Sequence, residues 1–334
     1  LPISEIGDVA RRGEKGHHMS ATRSVLDFSN APAWRRVEGL PSSLTCERTL
    51  VMGVLNVTPD SFSDGGRHND YDDAIAHAER LVREGADIID VGGESTRPGG
   101  SRVSEEEELR RTVRVVEALA QRGMCVSIDT MRASVARAAV DAGALIVNDV
   151  SAGLADPAMF STVAGLTTHL GTAPVYIAMH WRGHSEEAMS RTGYEAIGTD
   201  VARELGEQID KAVSAGIARE SIVADPGFGF SKTGEDNWDL YDQIGDVEAL
   251  ELPLLIGVSR KRFVSALDVD RDAGTAALSG LAQLRRSWAV RVHDVASSVA
   301  NIRVMQRLMA GPEGRDMGLG SGFADRNYES GARA

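Results

Sequence analysis

Cysteine, aromatic residues and long apolar runs are all scarce in this chain of 334 residues. Its two cysteines, Cys46 and Cys125, lie far apart, so they predict neither a disulfide framework nor a Cys-x-x-Cys metal site. No apolar run approaches the ~18 residues that a membrane span needs, and no charged-then-apolar start predicts a signal peptide. We therefore expect a protein of the reducing cytoplasm.

Positive charge is also in deficit, with 36 basic against 49 acidic side chains and a net charge of −13. Because phosphate backbones and anionic lipids reward a basic face, this predicts small-molecule partners rather than nucleic acid or membrane. The chain has no Gly-x-Ser-x-Gly, no Walker loop, no His-Glu-x-x-His and no cysteine near a plausible base. Covalent and zinc-dependent hydrolysis are therefore unsupported.

Short β-branched apolar runs alternate with stretches that have helical spacing. The predicted strands are 51–57, 87–92, 126–129, 145–150, 175–180, 222–225, 254–260 and 290–294. Continuous apolar runs are typical of parallel strands buried on both faces, and eight strand–helix units in about 260 residues predict a (β/α)8 TIM barrel. A doubly wound open sheet is the alternative, but no Gly-x-Gly-x-x-Gly follows the first strand.

We predict one barrel domain over 49–310, with flexible extensions at 1–48 and 311–334, because neither end has a sustained hydrophobic periodicity. Met19 is expected near a natural start, and the residues before it are expected to be an added or variable extension.

Two helix starts have specific signals. Ser104 with Glu107 predicts a capping box ahead of a helix over 105–121. Asp156 followed by Pro157 predicts an N-cap and a proline at the first helical position.

Polar residues end all eight predicted strands. They are Asn56, Glu94, Asp129, Asn148 with Asp149, His180, Asp225, Ser259 to Lys261, and Arg291 with His293. In a barrel these ends converge on the face where active sites lie. A single polar residue there is more often a cap, but several of these sit inside apolar runs, where an unpaired carboxylate is costly. The pattern favours a polar ligand.

The residue types narrow that ligand. Asp129, Asn148 and Asp225 offer acceptors that suit a planar heterocycle with N–H groups along one edge, and Lys261 could meet a ring carbonyl. The alternative for each carboxylate is a salt bridge to a nearby arginine.

Basic residues collect after the last two predicted strands, in the run 260–262 and at Arg291 and His293. Barrels often place a phosphate there, so an anionic ligand group is predicted, although Arg262 also suits a solvated position. Asn56 could hold a hydrated Mg²⁺ on that group, because magnesium takes few protein oxygens and keeps its waters.

Two glycine-containing loops follow the first two strands, over 58–66 and 94–100. Both combine glycine hinges with functional side chains, which suits lids that exclude water on closure. The alternative is an ordinary glycine-rich connection, but Phe62 and Arg97 are unusual residues for one.

The segments MGVLNVTPDSFSDGG (52–66) and DIIDVGGESTRPG (87–99) strongly resemble the two signature stretches of the dihydropteroate synthase family. Shorter pieces resemble the remaining family motifs, in the family's order: SIDT (127–130), IVND (146–149), DPGFGFSK (225–232), GVSRK (257–261) and RVHDV (291–295). The resemblance covers the whole predicted barrel and leaves out both extensions.

This resemblance implies a transferase of folate biosynthesis that joins (7,8-dihydropterin-6-yl)methyl diphosphate to 4-aminobenzoate, releasing 7,8-dihydropteroate and diphosphate. It implies sulfonamide competition near Ser259, Asn56 as the Mg²⁺ ligand, and Asp64, Arg97 and Lys261 as catalytic residues. The implied substrate-binding residues are Phe62, Thr96, Asp129, Asn148, Met179, Asp225, Phe230, Ser259, Lys261, Arg291 and His293.

Two other functions stay open from the sequence. A pterin-dependent methyltransferase domain shares the barrel and the pterin acids, but Arg291, His293 and Lys261 favour diphosphate chemistry. A non-catalytic pterin-binding paralogue would be expected to lack Asp64 or Arg97, and both are present. The family also implies a homodimer, for which the Ala/Leu-rich helix at 272–287 is the candidate face.

Overall fold

The structure is a computed structural model that describes residues 31–44, 47–57, 69–94, 103–183 and 193–310. Its strands are β1 (Leu50–Asn56), β2 (Ile88–Gly92), β3 (Val126–Asp129), β4 (Ile146–Asp149), β5 (Val175–Met179), β6 (Ile222–Asp225), β7 (Leu255–Ile256) and β8 (Ala289–Val292). They form one parallel sheet in the order β6-β5-β4-β3-β2-β1-β8-β7. A parallel bridge between Ala224 and Leu254 joins the two ends of this sheet. The predicted (β/α)8 barrel is confirmed, and the open sheet is excluded.

Every predicted strand overlaps an observed one, but the seventh prediction, 254–260, is too long. β7 ends at Ile256, and the chain then turns, with Lys261 N donating to Val258 O (3.2 Å) and Arg260 at a φ of 57°. The apolar run continues through this turn because Val258 is buried, so hydrophobicity alone does not reveal the end of the strand.

Helices surround the strands. In the described residues they are α1 (Asn69–Glu84), α2 (Glu105–Gln121), α3 (Ala133–Asp141), α4 (Met159–Ala164), α5 (Ile197–Ser214), α6 (Gly234–Asp242), α7 (Ile244–Glu248), α8 (Arg262–Ser265), α9 (Arg271–Leu284) and α10 (Val295–Met309). In α2 the buried side chains Thr112, Val115, Val116 and Leu119 recur at helical spacing, which makes one face of the helix pack on the barrel. No described helix is both long and apolar enough to cross a membrane.

The two predicted helix starts differ in outcome. Ser104 caps α2 as expected, its hydroxyl accepting from Glu107 N (3.2 Å), but the Glu107 carboxylate binds Arg110 instead of closing the capping box. The second start is displaced, because Ala158 and not Asp156 is the N-cap of α4. The Asp156 carboxylate instead accepts from the backbone N of both Ala158 (2.9 Å) and Ala133 (2.8 Å).

Strand alternation divides the barrel core into two layers. Side chains on one face pack against the helices, as Val51, Ile128 and Tyr176 do. Those on the other face fill the amino-terminal half of the barrel interior, in a cluster that includes Leu50, Met52, Ile88, Ile146, Val175, Ile177, Val223, Leu255 and Ala289. On β1, β2, β3, β4, β6 and β8 the inward series carries a polar side chain at or near its carboxyl-terminal end, whereas the series on β5 ends in Met179. The barrel interior is therefore apolar in its amino-terminal half and mainly polar at its carboxyl-terminal end.

The described residues before β1 close the lower end of the barrel. Val37 and Leu44 are buried in the inner cluster together with Trp288. Arg48 binds Asp87 through two bonds of 2.6 and 2.7 Å, and both side chains are buried. This part of the chain therefore packs on the barrel, whereas a flexible extension was expected; without a hydrophobic period, the sequence carries no signal for such packing.

Candidate active site

A polar layer lies at the carboxyl-terminal ends of the strands, inside the barrel. It consists of Asn56, Asp90, Asp129, Asn148, Asp225 and Arg291, which alternate with outward-facing residues on β1, β2, β3, β4, β6 and β8. Register places Asp129 opposite Asn148 and Asp225 opposite Met179. Five of the six residues were predicted as site residues, and the barrel brings them together from across the chain.

Arg291 is the centre of this layer. Its Nε donates to Asp90 Oδ2 (2.6 Å) and its Nη2 donates to Asp129 Oδ2 (2.8 Å). Asn148 Nδ2 also donates to Asp90 Oδ2 (3.2 Å). The salt bridge to arginine that was the alternative to ligand binding therefore exists at Asp129. Arg291 can still reach a ligand, because 22% of its side chain is exposed.

Two carboxylate oxygens in the polar layer lack partners among the described residues. Asp90 Oδ1 and Asp129 Oδ1 are buried and accept no hydrogen bond from any described residue. Buried acceptors are normally satisfied, so each such oxygen calls for a donor that the described residues do not supply. A ligand with N–H groups would supply these donors.

Burial also changes the protonation of the two acids predicted to bind the heterocycle. It raises the pKa of Asp129 to about 7, although Arg291 opposes the rise, and Asp90 adds to it. It raises the pKa of Asp225 to about 6, against the Gly227 N–H and Lys261. Both carboxyl groups therefore titrate near or just below neutral pH, which is unusual for an aspartate and typical of a functional site.

Lys261 approaches the polar layer from the turn after β7. Its Nζ lies 3.9 Å from the centroid of the Phe230 ring, a cation–π contact. Its side chain also lies against Gly229, where an added Cβ would come within 2.7 Å of Lys261 Cδ. Burial, and then Arg291, lower the pKa of Lys261 to about 8, so at neutral pH it can donate to a carbonyl as an ammonium.

Ser259 and His293 form a pair beside these residues. The Ser259 hydroxyl accepts from His293 N (3.1 Å) and lies 2.9 Å from His293 Nδ1, to which it can donate. When the hydroxyl donates to Nδ1, Nε2 carries the ring hydrogen and is the N–H donor. The structure thus places both predicted residues at one edge of the polar layer.

The space above Gly92 is bordered by oxygen atoms. A Cβ added there would lie 3.5 Å from Asn56 Oδ1 and 3.7 Å from Asp129 Oδ2. Oxygen donors of this kind fit Mg²⁺, which completes its shell with waters and substrate phosphates. In the described ranges there is no group of three His, Cys, Asp or Glu side chains that could hold a metal without such help.

Several predicted polar strand ends lie outside the polar layer. Glu94 binds Arg132 (2.6 Å), and Asp149 accepts from Ser151 N (2.8 Å) and Tyr176 Oη (2.8 Å). A ligand is therefore not needed to explain these two acids.

The predicted basic run 260–262 also divides. Arg260 binds Asp272 through bonds of 2.7 and 2.9 Å, and Arg262 is exposed on α8, so only Lys261 reaches the polar layer. Arg260 has a left-handed backbone conformation, so the chain turns there and the side chains of this run point in different directions.

Four further predicted residues, Phe62, Asp64, Thr96 and Arg97, lie outside the described residues. Asp90 and Lys232 also lie in this region, but the sequence did not predict them as site residues. Asp90 is a charged residue in the middle of an apolar strand, a signal that could have found it. Lys232 ends the motif DPGFGFSK, but nothing local indicates that its amine is buried.

An eight-stranded parallel barrel with acids, amides and cations gathered at the carboxyl-terminal ends of its strands is an enzyme architecture whose substrate enters from that face. Comparison with known proteins specifies the enzyme class. The sequence pattern of the family described as "Pterin binding enzyme" matches residues 52–293. The dihydropteroate synthase of Mycobacterium leprae (strain TN) is 48% identical over 275 residues, which cover 79% of this chain and 95% of that protein.

Solved structures agree with this similarity. The Yersinia pestis dihydropteroate synthase, solved with a sulfonamide drug complex, has a TM-score of 0.72 at 40% identity, covering 82% of this chain and 98% of its own. The Xanthomonas albilineans enzyme, solved with 4-aminobenzoic acid, has a TM-score of 0.73 at 42% identity, covering 80% and 95%. The chain belongs to the dihydropteroate synthase family of pterin binding enzymes.

Proposed function

We propose that this chain is a transferase that joins (7,8-dihydropterin-6-yl)methyl diphosphate to 4-aminobenzoate. The amine forms a C–N bond to the pterin methylene carbon, the C–O bond to diphosphate breaks, and the amine loses a proton. The products are 7,8-dihydropteroate and diphosphate. The observation that carries this proposal is the polar layer, in which two buried acid oxygens accept no hydrogen bond from the described part of a chain of this family.

The pterin ring would bind in the polar layer. Asp225 can accept two adjacent N–H groups of the ring, as a carboxylate does from a guanidinium, and Asn148 offers both a donor and an acceptor. Lys261 would donate to the ring carbonyl, while Asp129 Oδ1 would accept a ring N–H. Met179, which is buried opposite Asp225, and Phe230 would contact the faces of the ring.

The amine of 4-aminobenzoate is a weak nucleophile, so the enzyme would act mainly on the departure of the diphosphate. Arg291 and His293 would take up the charge that develops as the C–O bond breaks. The third Arg291 nitrogen, Nη1, forms no hydrogen bond with the described residues and belongs to a side chain that is 22% exposed. Mg²⁺ bound at Asn56 would supply further neutralisation of the diphosphate.

The carboxylates of the polar layer would favour the positive charge that builds up on the pterin methylene as diphosphate leaves. Asp64, Phe62, Thr96 and Arg97 of the two loops would close over the substrates and shape the aminobenzoate pocket with Ser259. Sulfonamides would compete with 4-aminobenzoate there.

The test is an assay of diphosphate release by the purified chain with both substrates, with and without Mg²⁺. Release should require 4-aminobenzoate, stop after chelation and return with added Mg²⁺. Asn56→Ala and Asp225→Ala should each remove activity while the circular dichroism spectrum stays unchanged, whereas Asp239→Asn, an exposed change on α6, should not. Absence of aminobenzoate-dependent release would reject the proposal, as would near-normal turnover by Asn56→Ala or Asp225→Ala.

Two further parts of the proposal concern assembly and location. A homodimer would form at α9 and the neighbouring α10, where Val304 and Leu308 expose apolar side chains one helical turn apart; sedimentation of Leu308→Glu as a monomer, beside a dimeric parent, would support this. The low cysteine count favours work in the cytoplasm, which cell fractionation tests.

A further inference from the structure

Lys232 is a buried lysine that the proposed chemistry does not use. It lies in the loop between β6 and α6, and only 4% of it is exposed. Its Nζ contacts three acceptors: His180 Nδ1 (3.0 Å), Gly227 O (3.0 Å) and Phe230 O (3.1 Å). An ammonium has three N–H donors and no acceptor, so this geometry matches the charged form, against burial, which lowers the pKa of Lys232 to about 7. A neutral amine would turn its lone pair toward one of the three acceptors.

The contact with His180 defines the roles of both ring nitrogens. Since Nδ1 accepts from Lys232, Nε2 carries the hydrogen and donates to Glu204 Oε2 (3.0 Å). Burial lowers the pKa of His180 to about 3, so the ring is neutral. Glu204 is held in turn by Arg182 through bonds of 2.8 and 2.5 Å. A continuous chain of polar contacts therefore runs from Arg182 to Lys232.

The two carbonyls that bind Lys232 bracket the segment in contact with the polar layer. At one end, Gly227 N donates to Asp225 Oδ1 (2.7 Å). At the other, the Phe230 ring lies under Lys261 Nζ, and the Gly229 backbone packs against the Lys261 side chain. Any movement of these carbonyls would therefore shift both Asp225 and Lys261.

We propose that Lys232 is a positioning residue for the pterin substrate: its amine ties Gly227 O and Phe230 O together so that Asp225 and Lys261 face the ring correctly. The inference rests on the proposed function. Lys232 itself does not touch the pterin. His180 supplies the third acceptor for the amine, and Glu204 fixes the orientation of the His180 ring.

Lys232→Met tests this role because methionine keeps a long apolar stem and removes all three donors. Misdirecting Asp225 and Lys261 would weaken their charged hydrogen bonds to the ring, and the loss of such a bond lowers affinity by roughly 10- to 100-fold. The KM for the pterin diphosphate should therefore rise by roughly that factor. The KM for 4-aminobenzoate should stay unchanged, because its proposed pocket does not include this loop. Lys211→Met, the same change at an exposed lysine on α5, should behave like the parent.

A purely structural role would give a different result: a smaller active fraction would lower kcat and leave the KM for the pterin substrate unchanged. That outcome in a folded Lys232→Met protein would overturn the inference. If Lys232→Met does not fold, Glu204→Gln is the second test. It weakens the hydrogen bond that holds the His180 ring, so it should raise the KM for the pterin substrate by a smaller factor. An unchanged KM in folded Glu204→Gln would then overturn it. Failure of the parent to release diphosphate would instead reject the proposed function.

Discussion

Replacing Asp225 with asparagine should stabilise the folded chain at alkaline pH while it removes pterin binding. Asp225 is 6% exposed, and one of its oxygens accepts from Gly227 N at 2.7 Å. The amide oxygen of asparagine can still accept this bond. What the substitution removes is a buried negative charge.

The size of the effect follows from the pKa of Asp225. Burial raises it from 3.8 to about 6, and this value already includes the attraction of Lys261 and Arg291. Because the folded state holds the proton more tightly than the unfolded state, stability from this group is complete below the unfolded pKa and is lost as pH rises through the folded one. The rise corresponds to about 3 kcal/mol at most, since one pKa unit equals about 1.4 kcal/mol.

Thermal unfolding of Asp225→Asn and the parent should be compared at about pH 4, 6 and 8, which lie close to the unfolded pKa, at the folded pKa and above both. The variant should match the parent at the lowest pH and exceed its Tm by up to roughly 6–12 °C at the highest, at about 2–4 °C per kcal/mol for a domain of this size. Asp239→Asn is the matched control, being an exposed aspartate on α6. A Tm difference that stays constant across this pH range would refute the reasoning.

Two other substitutions test the geometry of the site. Arg291→Met leaves Asp90 and Asp129 buried without their cation and should cost about 3–5 kcal/mol of unfolding free energy in urea near pH 8. The loss should shrink near pH 5, which lies below the raised pKa of Asp129 (about 7), because that carboxyl group is then protonated; an equal loss at both pH values would contradict this. Gly227→Ala should cost at least about 2 kcal/mol, because its φ is 70° and the new Cβ would lie 2.2 Å from His180 O. Gly171→Ala is its control, with a φ of 77° and nothing within 4 Å of the new Cβ; if the two cost the same in urea, the close approach to His180 has no energetic weight.

The fold could be predicted from the sequence because its signals are local. Each strand is a continuous apolar run, and each run is followed by a helical pattern, so the count of eight identified the barrel. The start of α2 followed from the Ser104 hydroxyl, which bonds within its own turn. The end of β7 was missed because Val258 is buried in a turn as fully as it would be in a strand.

By itself the sequence determined where polar residues end the strands, and its motifs determined the family. Only the tertiary structure decided which of two adjacent residues faces the barrel interior, as with Asn148 inside and Asp149 outside. Strands buried on both faces carry no sequence signal for that choice, because apolar residues occupy both sides. The pairing of Arg291 with Asp90, which are 201 positions apart, likewise depends on β8 closing the barrel beside β1. Long-range contacts of this kind give the site its charges, and no local pattern encodes them.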